Sequence, residues 1–336
     1  MPRKATGIAF AVLIALQSFG QPALAGCVGR DLWAAMPAAA RAKLEKKIAN
    51  DVFARGRFFR VTKNGKTSYL FGTMHAPAVG PLAIPQPVLT RLRRSKTLFV
   101  EVTDHEEAAF FGNMTRFGSE FMAKVPTNFA RHFSAAEWQF ITSVARSTGL
   151  EGDLLARARP WYVYMQMSAL GCASGGGSHQ PIMDARIEQI GRAAGIRVQG
   201  LETPLTAIHA MQGFSPAQYA QMIRAEVWGY RNSSAGDLQV TRTNLYTRGN
   251  IQLIWQFQMM QFAAYGNKKG VRLVEKLWEE RMLGKRNRAW MPTLLKAFGK
   301  GDAFVAVGAL HLGGKFGLMR ELSRRGYRVA RIEFRP

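Results

Sequence analysis

Two Gly-x-x-His sequences stand near opposite ends of the chain, each directly after a run of apolar, β-prone residues. Residues 72–75 read Gly-Thr-Met-His, and residues 308–311 read Gly-Ala-Leu-His. Glycine lets the backbone turn sharply or approach a ligand closely at the carboxyl end of a strand. The histidine three residues later then lies at the edge of the sheet where open α/β folds bind ligands. We therefore expect His75 and His311 to face one site.

A single carboxylate, Glu101, lies in the otherwise apolar run 97–102, which predicts a buried strand. A buried carboxylate is costly unless it meets a cation, a metal ion or several hydrogen-bond donors. Two histidines and one carboxylate are a common set of ligands for a divalent metal that keeps open positions for water. His75, Glu101 and His311 are therefore the predicted metal ligands and catalytic residues. Glu202, which ends another predicted strand, either reaches the same pocket or caps the helix that follows it.

The segments around these residues predict an α/β fold. Residues 58–63 and 66–71 are two β-prone runs joined by Asn64-Gly65, a strong hairpin signal. Further strands are predicted at 196–201, 303–307 and 327–334, with helices at 31–54, 88–94 and 317–325. This order predicts a central mixed sheet with flanking helices, a mainly helical middle region over 105–291, and two strand–Gly-x-x-His units facing one pocket.

The first 25 residues predict a secretory signal peptide. Arg3 and Lys4 precede an apolar run over residues 8–16, and the segment closes on Ala23-Leu24-Ala25, the small-residue pattern that signal peptidase reads. The apolar run is shorter than the about 20 residues that a permanent membrane span needs. We therefore predict an exported protein, periplasmic or secreted, in which residues 26–336 form a single domain without a transmembrane segment.

The two cysteines, Cys27 and Cys172, would both remain after cleavage. In an oxidising compartment they predict one disulfide. A second interpretation exists, because Leu24-Ala25-Gly26-Cys27 also has the shape of a lipoprotein processing site, which would make Cys27 a lipid anchor. The disulfide is favoured because lipidation would leave Cys172 as a free thiol.

The chain is strongly basic, with 46 Lys and Arg against 22 Asp and Glu and a formal net charge of +24. Such a surface attracts polyanions, which for an exported protein means acidic polysaccharide or anionic lipid. Nucleic acid is not expected as a partner, because no recognised binding motif is present and export removes the protein from it. A non-catalytic envelope protein that binds anionic surfaces is therefore the alternative to an enzyme.

An ordered set of motifs resembles the TraB/GumN family, which includes the TIKI metalloproteases and is related to the erythromycin-esterase and ChaN-like proteins. The resemblance runs from Asp31 to the end of the chain. The motifs are Tyr-Leu-Phe-Gly-Thr-Met-His at 69–75, Phe-Val-Glu at 99–101, Leu-Glu-Thr at 201–203 after Asp184 and a helix, Arg-Asn-Arg-Ala-Trp at 286–290, Val-Gly-Ala-Leu-His-Leu at 307–312 and Gly-Tyr at 326–327.

The resemblance implies a hydrolase, either a TIKI-like metallopeptidase or an esterase-like enzyme, acting on a peptide or ester substrate. His75 and His311 match the paired histidines, which would hold Mn²⁺ or a similar ion. Glu101 matches the acidic partner, which either completes the metal site or accepts a proton from the bound water. Arg286 matches the basic residue, which would stabilise the developing oxyanion. The esterase relatives imply a variant in which His75 itself is the general base and no metal is needed.

Overall fold

The computed structural model describes residues 28–75, 82–168, 182–232, 235–265 and 268–334. Six strands of the described chain form one mixed sheet. They are β1 Phe58–Lys63, β2 Lys66–Thr73, β3 Thr97–Val100, β4 Arg197–Gly200, β5 Ala303–Gly308 and β6 Arg328–Arg331. Their order across the sheet is β4-β3-β5-β2-β1-β6.

The strands that carry the candidate residues are parallel to one another. β5 pairs in parallel with β2 on one side and with β3 on the other, and β3 pairs in parallel with β4. β1 is antiparallel to both β2 and β6. Consequently the carboxyl ends of β2, β3, β4 and β5 meet at one edge of the sheet.

Helices supply most of the remaining structure. They are α1 Leu32–Ala35, α2 Ala38–Ile48, α3 Gln86–Arg93, α4 Asp104–Phe111, α5 Met114–Phe121, α6 Ala135–Ser147, α7 Gly152–Arg157, α8 Pro160–Ser168, α9 Met183–Ala193, α10 Pro204–Met211, α11 Pro216–Asn232, α12 Ala235–Thr247, α13 Ile251–Tyr265, α14 Lys268–Trp278, α15 Arg286–Lys300 and α16 Leu318–Arg324. A π-helical segment, Glu279–Lys285, joins α14 to α15, and short 3-10 turns span Phe129–His132 and Ala309–His311.

Both faces of the sheet are covered. On one face, apolar residues of β1, β2 and β5 pack with α15 and α16, including Phe59, Leu70, Val305, Trp290 and Leu322. On the other face, Phe58, Phe71 and Phe304 pack with residues of α3 and α9 such as Leu92 and Ile187. Burial on both faces suits the near-continuous apolar runs of the parallel strands.

The helices between β3 and α15 have an apolar core of their own, with Trp161, Ile223 and Trp255 among its members.

The predicted fold class and hairpin are confirmed. Asn64 and Gly65 both have positive φ, 51° and 72°, as the short turn between β1 and β2 requires. The single helix predicted over 31–54 is wrong, because Pro37 separates α1 from α2. The placement of Glu101 inside a strand is also wrong. β3 ends at Val100, so Glu101 is the first residue beyond it.

The predicted signal peptide, with Cys27, and the segment that contains Cys172 lie outside the described residues. Their cleavage, disulfide and lipidation stay predictions. None of the helices in the described ranges is both long and apolar enough to cross a bilayer.

Candidate active site

The parallel strands deliver one acidic or imidazole side chain each to the same edge of the sheet. His75 follows β2, Glu101 follows β3, Glu202 follows β4 and His311 follows β5. The His75 Nε2 atom lies 3.2 Å from Glu101 Oε1, and His311 Nε2 lies 3.7 Å from the same oxygen. Arg286, the first residue of α15, donates to Glu101 Oε2 at 2.5 Å. The structure thus brings together all four residues predicted to form the site, and Glu202 with them.

Gly72 and Gly308 are required because other residues of the site lie too close to leave room for a Cβ at either position. A Cβ at Gly308 would lie 2.5 Å from His75 Nε2, and one at Gly72 would lie 2.8 Å from Ala309 Cα. The Gly308 N–H also donates to Glu101 Oε1 at 2.7 Å. Glycine therefore lets each motif backbone pack directly against residues of the other motif or of the site.

His75 is held between two carboxylates at the open side of the site. Its Nδ1 lies 2.9 Å from Asp184 Oδ2, and the other Asp184 oxygen accepts from Thr73 Oγ1 at 2.6 Å. Half of the His75 side chain is exposed, 50%. Burial lowers the pKa of His75, but the negative charges of Asp184 and Glu101 outweigh it and raise the pKa well above its usual value. His75 is thus an accessible imidazole with fixed orientation and high proton affinity.

Glu101 accepts hydrogen bonds at both oxygens. Oε1 receives Gly308 N–H and faces His75, while Oε2 receives Arg286. Burial would raise the pKa of Glu101, but the imidazoles and the guanidinium around it hold the pKa well below its usual value. The side chain is therefore an anion that is partly accessible beside His75.

Arg286 uses all its donors inside the protein. Nε and Nη2 donate to Glu202 Oε1, Nη2 also donates to Glu101, and Nη1 donates to Met282 O and His311 Nε2. A guanidinium has five N–H groups, so none is left for a substrate. Stabilisation of an oxyanion by Arg286, which the resemblance implies, would require one of these bonds to break.

His311 differs from His75 in almost every respect. Its side chain is 5% exposed, and its ring packs on Trp290 with ring centroids 4.5 Å apart. Burial, with the nearby charge of Arg286, lowers the pKa of His311 to about 3 despite the opposing effect of Glu101. His311 is therefore a neutral imidazole at physiological pH, enclosed in the protein.

Four residues of the site were missed as functional candidates: Thr73, Asp184, Asn287 and Trp290. Asn287 Oδ1 lies 2.7 Å from His311 Nδ1, and Trp290 Nε1 donates to Glu202 Oε2 at 3.1 Å. Glu202 reaches the pocket, and Thr203 is the residue that caps α10. Trp290 lies four residues after Arg286 and three after Asn287, and this spacing could have indicated that they meet, since residues three or four apart share a helix face. Asp184 gives no such signal.

The donor types of the site suit a divalent ion, but their arrangement does not fit one held by His75, Glu101 and His311. An imidazole nitrogen has one lone pair, and that of His311 Nε2 faces Arg286 Nη1 at 3.1 Å. Glu101 Oε2 is likewise bonded to Arg286. In the part of the chain that the structure describes, no group of three or more His, Cys, Asp or Glu side chains is placed to hold a metal ion.

Fold and site together define an α/β protein with a histidine–carboxylate site at the carboxyl ends of parallel strands. The model of the TraB/PrgY/gumN family matches residues 58–331, which is most of the chain, so the protein belongs to that family. A comparison with curated proteins found no match to this sequence.

Proposed function

We propose that the protein is a hydrolase of peptide or ester bonds in which His75 transfers the proton. The observation that carries the proposal is the half-exposed His75 imidazole, bonded through Nδ1 to Asp184 and facing Glu101 through Nε2. A base oriented by a second side chain and open to solvent is the arrangement that general acid–base catalysis needs.

The reaction follows from these contacts. Above its raised pKa, His75 is neutral and accepts a proton at Nε2 from a water molecule, and the water oxygen forms a bond to the carbonyl carbon of the substrate. Asp184 accepts the Nδ1–H throughout, and Glu101 stabilises the imidazolium that forms. When the tetrahedral species collapses, the bond from carbon to the leaving oxygen or nitrogen breaks. The leaving group takes the proton from His75 Nε2, and the products are an acid and an alcohol or amine.

The metal-dependent form of this proposal, implied by family resemblance, would use His75, Glu101 and His311 as ligands. A bound divalent ion would supply a water of lowered pKa. This form requires Arg286 to leave His311, and metal analysis of the purified protein tests it.

The test is hydrolysis of a panel of p-nitrophenyl esters and internally quenched peptides by the purified protein. His75→Ala should lower the rate on any substrate turned over by about 100-fold or more, since it removes the proton-transfer group. His209→Ala is the matched control, because His209 is a histidine whose side chain is 55% exposed on α10. Equal rates for wild type and His75→Ala, or no hydrolysis of any panel member, would reject the proposal.

Export and binding to anionic surfaces are separate proposals. Export predicts that the mature protein begins at Gly26, which mass determination of the N-terminal peptide tests. Binding to acidic polysaccharide or anionic lipid predicts retention on an anionic matrix that weakens as salt rises. His75→Ala should leave that retention unchanged, so the binding function and the hydrolase are distinguished by one variant.

A further inference from the structure

The proton positions on His311 follow from the neighbouring asparagine. Asn287 Nδ2 donates to the backbone oxygens of His311 and Phe316, at 3.1 and 2.8 Å. Because the amide nitrogen is used in this way, the atom facing His311 Nδ1 at 2.7 Å is the amide oxygen. Oxygen accepts only, so Nδ1 carries the proton and donates. The Nε2 atom of neutral His311 is therefore the unprotonated nitrogen.

The lone pair of His311 Nε2 is already in use. Arg286 Nη1 lies 3.1 Å from it and is its hydrogen-bond donor. A metal ion bound to an imidazole lies about 2.1 Å from the nitrogen along the same lone-pair direction. The guanidinium and a metal ion at His311 thus compete for one position.

The guanidinium is firmly held in that position. Its side chain is only 10% exposed and bonds two carboxylates, those of Glu101 and Glu202. The π-helical segment contributes a further acceptor. The Arg286 backbone N–H bonds to Leu283 O, and Met282 O accepts from the Arg286 side chain. Such charge-assisted bonds are among the strongest in proteins, so Arg286 would lose several of them by moving aside.

We propose that Arg286 is the resident cation of this site, occupying the place between His311 and Glu101 that a divalent ion would need, and that the protein therefore works without one. Its positive charge neutralises the buried carboxylates, which is a metal ion's electrostatic role in a site of this composition. His311 is then a positioning residue, whose neutral Nε2 fixes the guanidinium. The inference concerns the same site as the proposed hydrolase but does not depend on its reaction.

The decisive experiment is metal binding by an Arg286 variant. Arg286→Met keeps an unbranched side chain of similar length, removes the cation and frees the lone pair of His311. Calorimetric titration with Mn²⁺ and with Zn²⁺ should show binding at least tenfold tighter to Arg286→Met than to wild type. The double variant Arg286→Met/His311→Ala should lose that gain, because the newly available ligand is gone. Arg320→Met, which removes an arginine that pairs with Asp51, should behave as wild type.

A second measurement, on the wild type, does not depend on whether Arg286→Met folds. Thermal unfolding of wild-type protein, after dialysis against EDTA, should be unchanged by Mn²⁺ or Zn²⁺, because a ligand that does not bind the native state cannot stabilise it. A metal-dependent rise in Tm that disappears in His311→Ala would overturn the inference. So would equal metal affinity of wild type and a folded Arg286→Met.

The outcomes separate this inference from the proposed hydrolase. Titration and unfolding are read without substrate, so absence of hydrolysis would reject the hydrolase and leave Arg286 as the resident cation. Hydrolysis that EDTA abolishes and Mn²⁺ or Zn²⁺ restores would reject the inference and leave the hydrolase intact.

Discussion

His75 and His311 each follow a strand glycine by three residues, yet their surroundings give them opposite properties. His75 is half exposed between Asp184 and Glu101, which raise its pKa against the effect of burial. His311 is buried beside Arg286, and burial lowers its pKa to about 3. A repeated motif thus places two imidazoles at one edge of the sheet, while exposure and neighbouring charge decide which one can exchange a proton with solvent.

The largest expected effect is the difference in stability between two alanine variants. His311→Ala leaves one N–H of Arg286 Nη1 and the oxygen Asn287 Oδ1 without their partner in the protein interior, which should lower the free energy of unfolding by about 3 kcal/mol. His75→Ala removes a half-exposed side chain and should change it by less than about 1 kcal/mol. Urea unfolding at pH 7 measures both. Equal losses of unfolding free energy in the two variants would contradict the different roles assigned to His311 and His75.

A second prediction concerns the pH dependence of stability. Because the pKa of His311 is about 3 when folded and about 6.5 when unfolded, the unfolded state binds more protons between these values. Lowering the pH to 4 should therefore reduce the free energy of unfolding of the wild type by about 3 kcal/mol through His311. This loss is absent above pH 6.5.

The same titration separates the two histidines. Urea unfolding measures the free energy of unfolding of wild type and of His311→Ala. The difference between the two should become smaller as pH falls from 7 to 4. The raised pKa of His75 acts with the opposite sign, since its contribution is full below pH 6.5 and is lost as pH rises through the folded pKa. If the difference in free energy of unfolding between wild type and His311→Ala does not change with pH, the pKa of His311 is the same in the folded and unfolded states.

A smaller effect is expected from closing the space between the two motifs. Gly308→Ala places a Cβ where it would meet His75 Nε2 at 2.5 Å and should displace the imidazole, lowering hydrolysis by about tenfold. Gly299→Ala, whose Cβ would meet no atom within 4 Å, is the control and should keep wild-type activity. Full activity of Gly308→Ala would mean that the position of His75 is not critical.

The smallest effects concern the bonds behind His75. Asp184→Asn removes the largest source of negative charge on the imidazole, so the pKa of His75 should fall and the rising limb of activity against pH should shift to lower pH. Thr73→Val removes only the bond to Asp184 Oδ1, and activity should fall by about twofold to threefold. A larger loss in Thr73→Val than in Asp184→Asn would reverse the proposed order of support.

Local signals made much of this arrangement predictable. Asn64-Gly65 determines its turn through backbone conformation, and a glycine followed three residues later by histidine at a strand end indicates a ligand site at the sheet edge. Glu101 was conspicuous because a carboxylate beside an apolar run needs a partner. These inferences depend on residues close together in the sequence, where periodicity and turn chemistry act.

The remaining features depend on contacts between distant segments. Asp184 lies 109 residues from His75, and nothing near it in the sequence indicates that the two meet. The π-helical segment before Arg286 has no composition that distinguishes it from an α-helix. The burial of His311, on which its role depends, involves Trp290 of α15, whose ring packs on the imidazole. Such features require the assembled structure.

One of the two central strands of the sheet, β5, is also nearly the last strand to be synthesised. β5 begins at Ala303 and lies between β2 and β3, so neither of these strands has its inner neighbour until about nine-tenths of the 336-residue chain exists. A chain interrupted before that point would expose two unpaired strand edges, which promote aggregation. It would also lack Gly308 and His311. The proposed hydrolysis would therefore require a chain that extends through β5 and His311.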